Sequence, residues 1–209
     1  MDKIYGTLKQ GFMIQEELTE KWHIKEGDME EEYKRIMERR ENDLIEIFSA
    51  LHFMNYSLWH VEDTARRLDV PASVIADCKH RIDVFNQKRN NLIEKADEAL
   101  ISAIEPLLTQ KTPEKYNTET LGMAIDRMSI IALKIYHMRE QASRSDAGQE
   151  QRDLCAKKLS QLSEQRERLK QSILDLLDDC FAGRKAIKPY FQHKMYNDPN
   201  LNPELYRKS

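Results

Sequence analysis

The chain has 209 residues, 33% of them charged, and a formal net charge of −3, a balance that excludes a general nucleic-acid surface, which needs a basic patch or stripe. With only 6 Gly and 6 Pro, and with Leu, Ile, Met, Glu, Lys, Arg and Gln prominent, the composition reads as one all-α domain. The opening MDKIYGTLKQGF lacks the apolar core of a signal peptide, and no run approaches the ~20 apolar residues of a membrane span, so a soluble, cytoplasmic protein is expected.

The first segment, to about His23, is helical in pattern, with Ile4, Leu8, Phe12 and Gln15/Leu18 along one side. Gly27 is a stop and Asp28 a candidate N-cap. The acidic-then-basic run MEEEYKRIMERRE reads as solvated helical turns laced by i,i+4 pairs. From about Asn42 to Leu68, the spacing of Leu44, Ile47, Phe48, Leu51, Met54, Leu58 and Ala65 predicts an amphipathic helix. Pro71 suits the first turn of the next one. That helix is long, from about Ala72 to Leu108, with Ile75, Cys78, Ile82, Phe85, Ile93, Ala96 and Leu100 as its buried stripe and Pro106 near its end. Its opposite face, Asp83, Gln87, Asn90, Glu94 and Asp97, reads as solvated.

The stretch Glu119–Met138 is apolar over roughly two-thirds of its circumference at about 100° per residue, which marks a central helix, with Thr118 as its expected cap. Its remaining arc carries Glu119, Asp126, Arg127, Lys134 and His137. Two charge signs and an imidazole on a largely buried helix predict either a polar pocket or a narrow solvent strip. After a break at Arg144–Gly148, a last helix repeats Cys155, Leu159, Leu162, Leu169, Ile173, Leu176 and Cys180, and Gly183 ends it. The three cysteines stand far apart among apolar positions and read as reduced core thiols. Together these elements predict an antiparallel bundle of four long helices plus a shorter N-terminal helix. The single domain divides into an N-terminal arm (1–40), a bundle core (41–182) and an irregular tail (183–209). The basic, aromatic tail is expected to dock on the bundle through Tyr190, Phe191 and Tyr196, as a lid, a strap or a partner-binding arm.

Two further charges fall where a plain bundle would be apolar. Glu62 lies near the apolar centre of its helix, flanked by Asn55 and Arg66. Arg89 lies within the stripe of the next helix, with Asn86 at its edge. Buried charges come paired, so a Glu62–Arg89 contact is expected, with Asp126 and Arg127 close enough to join it. Such a pair either fixes helix register as an inert bridge or belongs to a ligand site. Other chemistry is not indicated, and no cofactor is expected. Walker A, G-x-G-x-x-G, G-x-S-x-G and H-E-x-x-H patterns are absent. No metal site is expected either: Glu20-Lys21-Trp22-His23 is a lone match to the Glu-x-x-His of di-iron bundles. His60-x-x-Asp63 has suitable spacing, but no second His-bearing helix clearly faces it, and His60 is assigned away from the apolar arc.

The segments WHVEDTARR (59–67), KHRIDVFNQKRNNLIEKAD (79–97), AIDRMSIIALKIYHMREQ (124–141) and KMYNDPNLNPELY (194–206) resemble a bacterial family known as domain of unknown function 4254. The family's Trp-His-x-Glu-Asp is matched by Trp59, His60, Glu62 and Asp63. Its Arg-Ile-Asp-x-x-Asn-Gln-x-Arg is matched by Arg81, Ile82, Asp83, Asn86, Gln87 and Arg89, and the central motif by Asp126, Arg127, Ser129, Lys134, Tyr136 and His137. His80 and Asn91 depart from it, where a basic and an acidic residue are usual. The resemblance assigns no activity, but it implies a link to glycosyltransferase and cell-envelope polysaccharide genes.

Two expectations follow. In one, the bundle binds a small anionic ligand such as a phosphorylated or nucleotide sugar, with Asn55, Arg66, Asn86, Arg89, Arg127 and Lys134 as binding residues. Glu62, Asp126 and His137 are then the catalytic candidates, His137 with Asp126 serving in proton transfer. In the other, it is a non-catalytic accessory protein or homodimer that holds a glycosyltransferase-type partner.

Overall fold

Helical periodicity carries through to the computed structural model, which describes residues 1–24, 31–32, 34–35, 43–108, 115–193, 195 and 198–207. Among these, every regular element is helical. Helix α1 spans Asp2–Ile24, α2 Leu44–Ala65, α3 Ala72–Ile104, α4 Leu121–Ser143, α5 Gln149–Phe181 and α6 Pro203–Tyr206. Pro106 sits in a 3-10 turn, Glu105–Leu107, that follows the end of α3. The stop expected at Gly27 and the cap at Asp28 lie outside the described residues. No helix is long and apolar enough to cross a membrane among the described residues.

Local chemistry sets the boundaries. Asp43 caps α2 by accepting from the Ile45 N–H at 2.7 Å. Thr120, not Thr118, caps α4, accepting from Met123 N–H at 3.1 Å; the hydroxyl two residues later is the one in register with the orphan amides. Gly183, at φ 66°, turns the chain after α5, a left-handed conformation glycine adopts without strain.

Helix α4 packs against α1, α2, α3 and α5, which is why so much of its circumference is apolar. The core joins Leu8 and Phe12 of α1, Phe48, Leu51 and Met54 of α2, Leu100 and Ile104 of α3, Ile125 and Met128 of α4, and Leu177 of α5. Each such side chain contributes ~1.5–3 kcal/mol on burial. Every residue from Ala50 to Leu58 is buried, so this part of α2 has no solvent face. All three cysteines are free and buried.

One face differs from expectation. Asn90 and Asp97 of α3 are buried rather than solvated, because α4 covers that side of the helix as α2 covers the other. Asp97 accepts from the Gly122 N–H at 2.7 Å, supplementing the cap of α4, while burial pushes its carboxyl up to about 6.

The start of the tail docks. Ala186 N–H donates to the Lys115 carbonyl at 2.8 Å, Tyr190 Oη to the Asn117 carbonyl at 2.5 Å, and Gln192 N–H to Glu94 Oε1 of α3 at 2.8 Å. Phe191 is exposed, contrary to the docking role expected of it, because Tyr190 and Ile187 take the inward positions. Tyr196 lies outside the described residues.

Candidate functional site

Polar side chains form one chain of hydrogen bonds through the core. Thr19 Oγ1 donates to the Gln15 carbonyl at 2.7 Å and lies 2.9 Å from His52 Nε2. With its single proton committed, the hydroxyl accepts from Nε2–H. His52 Nδ1 is then the acceptor, taking the Ser129 hydroxyl proton at 2.7 Å. The Asn55 amide donates to Ser129 Oγ at 2.9 Å and to Asp126 Oδ1 at 2.8 Å. Complete burial holds His52 neutral, its pKa lowered to about 3. Burial also raises the Asp126 carboxyl against the lowering pull of Arg89 and Asn55.

Arg89 stands beyond the end of this chain. Its Nε stands 3.8 Å from Asp126 Oδ1, outside hydrogen-bond distance, and is buried without a hydrogen-bond partner among the described residues. The expected Glu62–Arg89 ion pair does not form: Glu62 pairs with Arg66 at 2.9 Å, one turn along α2, with its side chain 40% exposed. Glu62 lies in the last turns of α2, where the helix rises to the rim, while Asp126 of α4 supplies the inward carboxylate. Arg127 is exposed and paired with Glu119, so it does not join the network.

Glu62 and Arg89 nevertheless face one cavity, of about 380 Å³, with Asn55, Arg66, Asn86, Trp59 and Asp63 also on its wall. Trp59 and Asp63 line a second cavity as well, of about 590 Å³, bounded by Lys134, His137, Met138 and Gln141 of α4 and by Lys158, Gln161, Leu162 and Gln165 of α5. The catalytic candidates do not converge. Asp126 and His137 are about 16 Å apart along α4 by the 1.5 Å rise per residue, so they cannot exchange a proton directly.

Histidines from three helices meet instead. The ring centroids of His23 (α1), His60 (α2) and His137 (α4) are 5.2, 4.8 and 5.9 Å apart for the pairs 23–60, 23–137 and 60–137. Two His-bearing helices therefore face His60, against expectation. It packs edge-on to Tyr56 at 4.4 Å on a side of α2 that the C-terminal turns of α1 and α4 cover. His23 Nδ1 lies 2.7 Å from the Thr19 carbonyl and His137 Nδ1 2.8 Å from Glu140 Oε2. Burial holds His23 and His60 below the ordinary imidazole range.

Sequence reasoning passed over His52 and Thr19, set His23 aside as a lone Glu-x-x-His match, placed Gln15 only on the inner side of its helix, and named Ser129 only as a motif residue. It also missed Arg166, buried in α5, which donates to the Phe12 carbonyl at 2.7 Å and pairs with Glu16 at 2.5 Å. His52 did carry a signal, an imidazole set inside the unbroken apolar run Ala50–Met54. The family model described as protein of unknown function (DUF4254) matches residues 45–189, from α2 through α5 to the docked start of the tail. No curated protein and no solved structure matches the chain.

Proposed function

Since the chain belongs to the DUF4254 family of proteins of unknown function, its role has to be read from its own site, and we propose that it binds a small anionic, polyhydroxylated ligand between its helices. A phosphorylated or nucleotide sugar fits that description, in the bacterial cytoplasm and in cell-envelope polysaccharide biosynthesis. The supporting observation is the pair of cavities that meet at Trp59 and Asp63. One presents Arg89, whose Nε makes no hydrogen bond among the described residues. The other presents Lys134 and Lys158 beside the amides of Gln141, Gln161 and Gln165. Cationic side chains attract a phosphate, amides match sugar hydroxyls, and both volumes lie in or near the usual ligand range of ~300–1,000 Å³.

The test is a thermal-shift screen of the full chain against nucleotide sugars and sugar phosphates. A ligand at 100 times its Kd stabilises by about 2.7 kcal/mol, a shift that Arg89→Met and the Lys134→Met/Lys158→Met pair should each reduce. No shift from any member of the panel would overturn the reading. Exposed Phe191, Met195, Leu201, Leu205 and Tyr206 in the tail favour a second reading, an accessory protein that holds a glycosyltransferase-type enzyme. Under it the screen is silent, and deleting residues 194–209 abolishes a complex formed by the full chain.

A further inference from the structure

His23, His60 and His137 come from three different helices, yet one ring nitrogen of each lies within 4.8 Å of the other two. The Nε2 atoms of all three are buried and make no hydrogen bond among the described residues. Buried polar atoms are normally paired, so three such atoms in one place require a common explanation. The outer nitrogens supply a direction. A carbonyl oxygen can only accept, so His23 Nδ1 carries the proton it shares with Thr19. In the neutral ring its Nε2 is then a bare lone pair. His137 is set the same way by the Glu140 carboxylate. Two bare Nε2 lone pairs and the unbonded Nε2 of His60 thus share one buried space, an arrangement that a cation held by all three imidazoles would satisfy.

We propose that these three imidazoles bind a divalent transition-metal ion of the zinc class through their Nε2 atoms. Three nitrogen donors suit zinc and its neighbours, and not calcium or magnesium, which take oxygen. Metal–nitrogen bonds of ~2.0–2.1 Å in a tetrahedral centre place imidazole centroids about 5 Å apart. The three observed separations, 4.8 to 5.9 Å, bracket that value. The ring nitrogens would close by about 1 Å to reach that bonding geometry, a movement available to ring rotation.

The surroundings hold the rings in place. Trp59 stacks on His137 with centroids 4.6 Å apart and planes 9° from parallel, and Tyr136 stacks on His23 at 4.0 Å. The Glu140–His137 hydrogen bond is the carboxylate–histidine–metal arrangement that fixes a ligating tautomer. Among the described residues no fourth His, Cys, Asp or Glu joins the group, so the fourth position falls to water or to a ligand, as in three-ligand zinc sites. His137 also borders the larger cavity, which puts the ion beside that cavity, but the metal site does not depend on any ligand binding there.

The test uses the full chain without a histidine tag, stripped with EDTA and titrated with zinc alone against a chromophoric chelator. The expected result is one zinc per chain. His60→Gln and His137→Gln should each weaken it by more than the ~100-fold upper range for outer-shell losses, and Glu140→Gln by about 10-fold. Arg89→Met, which touches only the anion reading, and His80→Ala, at an exposed histidine, should leave zinc affinity unchanged. Cobalt(II) in place of zinc should give the visible absorption of a four-coordinate site and lose it when zinc is added. Circular dichroism and melting of the metal-free variants show that each remains folded; should a histidine variant unfold, the cobalt spectrum of the unaltered chain and its titration at about 10-fold higher cobalt in Glu140→Gln carry the test. Substoichiometric zinc, zinc held equally by the folded histidine variants, or cobalt bound only in six-coordinate surface fashion would each overturn the proposal.

Discussion

At the scale of single residues, His52 has no exposed surface and both its ring nitrogens are engaged, one by Thr19 and one by Ser129. Its pKa of about 3 in the fold lies below the ~6.5 of an unfolded histidine. The unfolded chain therefore binds the proton first on acidification. The stability His52 contributes is complete above about pH 6.5 and is lost as pH falls toward 3, by about 3 kcal/mol between pH 6.5 and 4. Urea unfolding at those two values should show a His52→Phe variant that is weaker at pH 6.5 but has a shallower acid decline. Parallel declines would mean that His52 is protonated in the fold. Little of this was readable beforehand. Helical rotation placed Arg89 inward and left Asp126 on an arc that reads as either a pocket or a solvent strip; in the fold the two stand 3.8 Å apart. But Glu62 was given the wrong partner, because a rotation angle fixes a side chain's bearing and not its height along the bundle. His23, His60 and His137 are far apart in the chain and on three helices, so no local spacing announces them.

At the scale of elements, the extents of α2 to α5 follow the apolar periodicity to within a few residues, since each stripe runs the helix's full length. Periodicity fails where a helix has two neighbours. Asn90 and Asp97 fall on the polar side of α3 but lie under α4, and only the tertiary arrangement reveals that second contact. The approach of those two helices is set by Gly122. A Cβ there would stand 2.6 Å from the Ile93 carbonyl oxygen and 2.8 Å from the Asp97 carboxylate. Alanine favours a helix over glycine by about 1 kcal/mol. Here the obstacle is backbone, which cannot rotate aside, so α3 and α4 must separate and loosen the Asp97–Gly122 bond. Gly122→Ala should therefore destabilise, by about 1–3 kcal/mol as overpacked sites do. A neutral or raised denaturation midpoint would show that the helices are not held this closely.

At the scale of the whole molecule, the chain from Arg184 to Gln192 ties together parts that no helix pair joins. Ala186 and Tyr190 bond the backbone at Lys115 and Asn117, before α4, while Gln192 bonds Glu94 on α3. Lys185 adds a bond to the Asn117 side chain at 3.1 Å, and Ala186 is buried. The strap thus spans the link between α3 and α4 and fixes the end of the bundle where Asp97 meets Gly122. After it the described residues change character: Met195, Leu201, Leu205 and Tyr206 are exposed. A chain ending at Gly183 and one ending at His193 should then behave differently. The first loses at least three hydrogen bonds worth roughly 1 kcal/mol each together with the burial of Ala186 and Ile187, so its unfolding free energy should fall by about 3–4 kcal/mol. The second keeps every strap contact and should stay within about 0.5 kcal/mol of the full chain, the usual range for exposed changes. Limited proteolysis should follow the same order, cutting beyond His193 before any bond between Arg184 and Gln192. Equal stability of the two truncated chains would mean that the strap lies on the bundle without holding it.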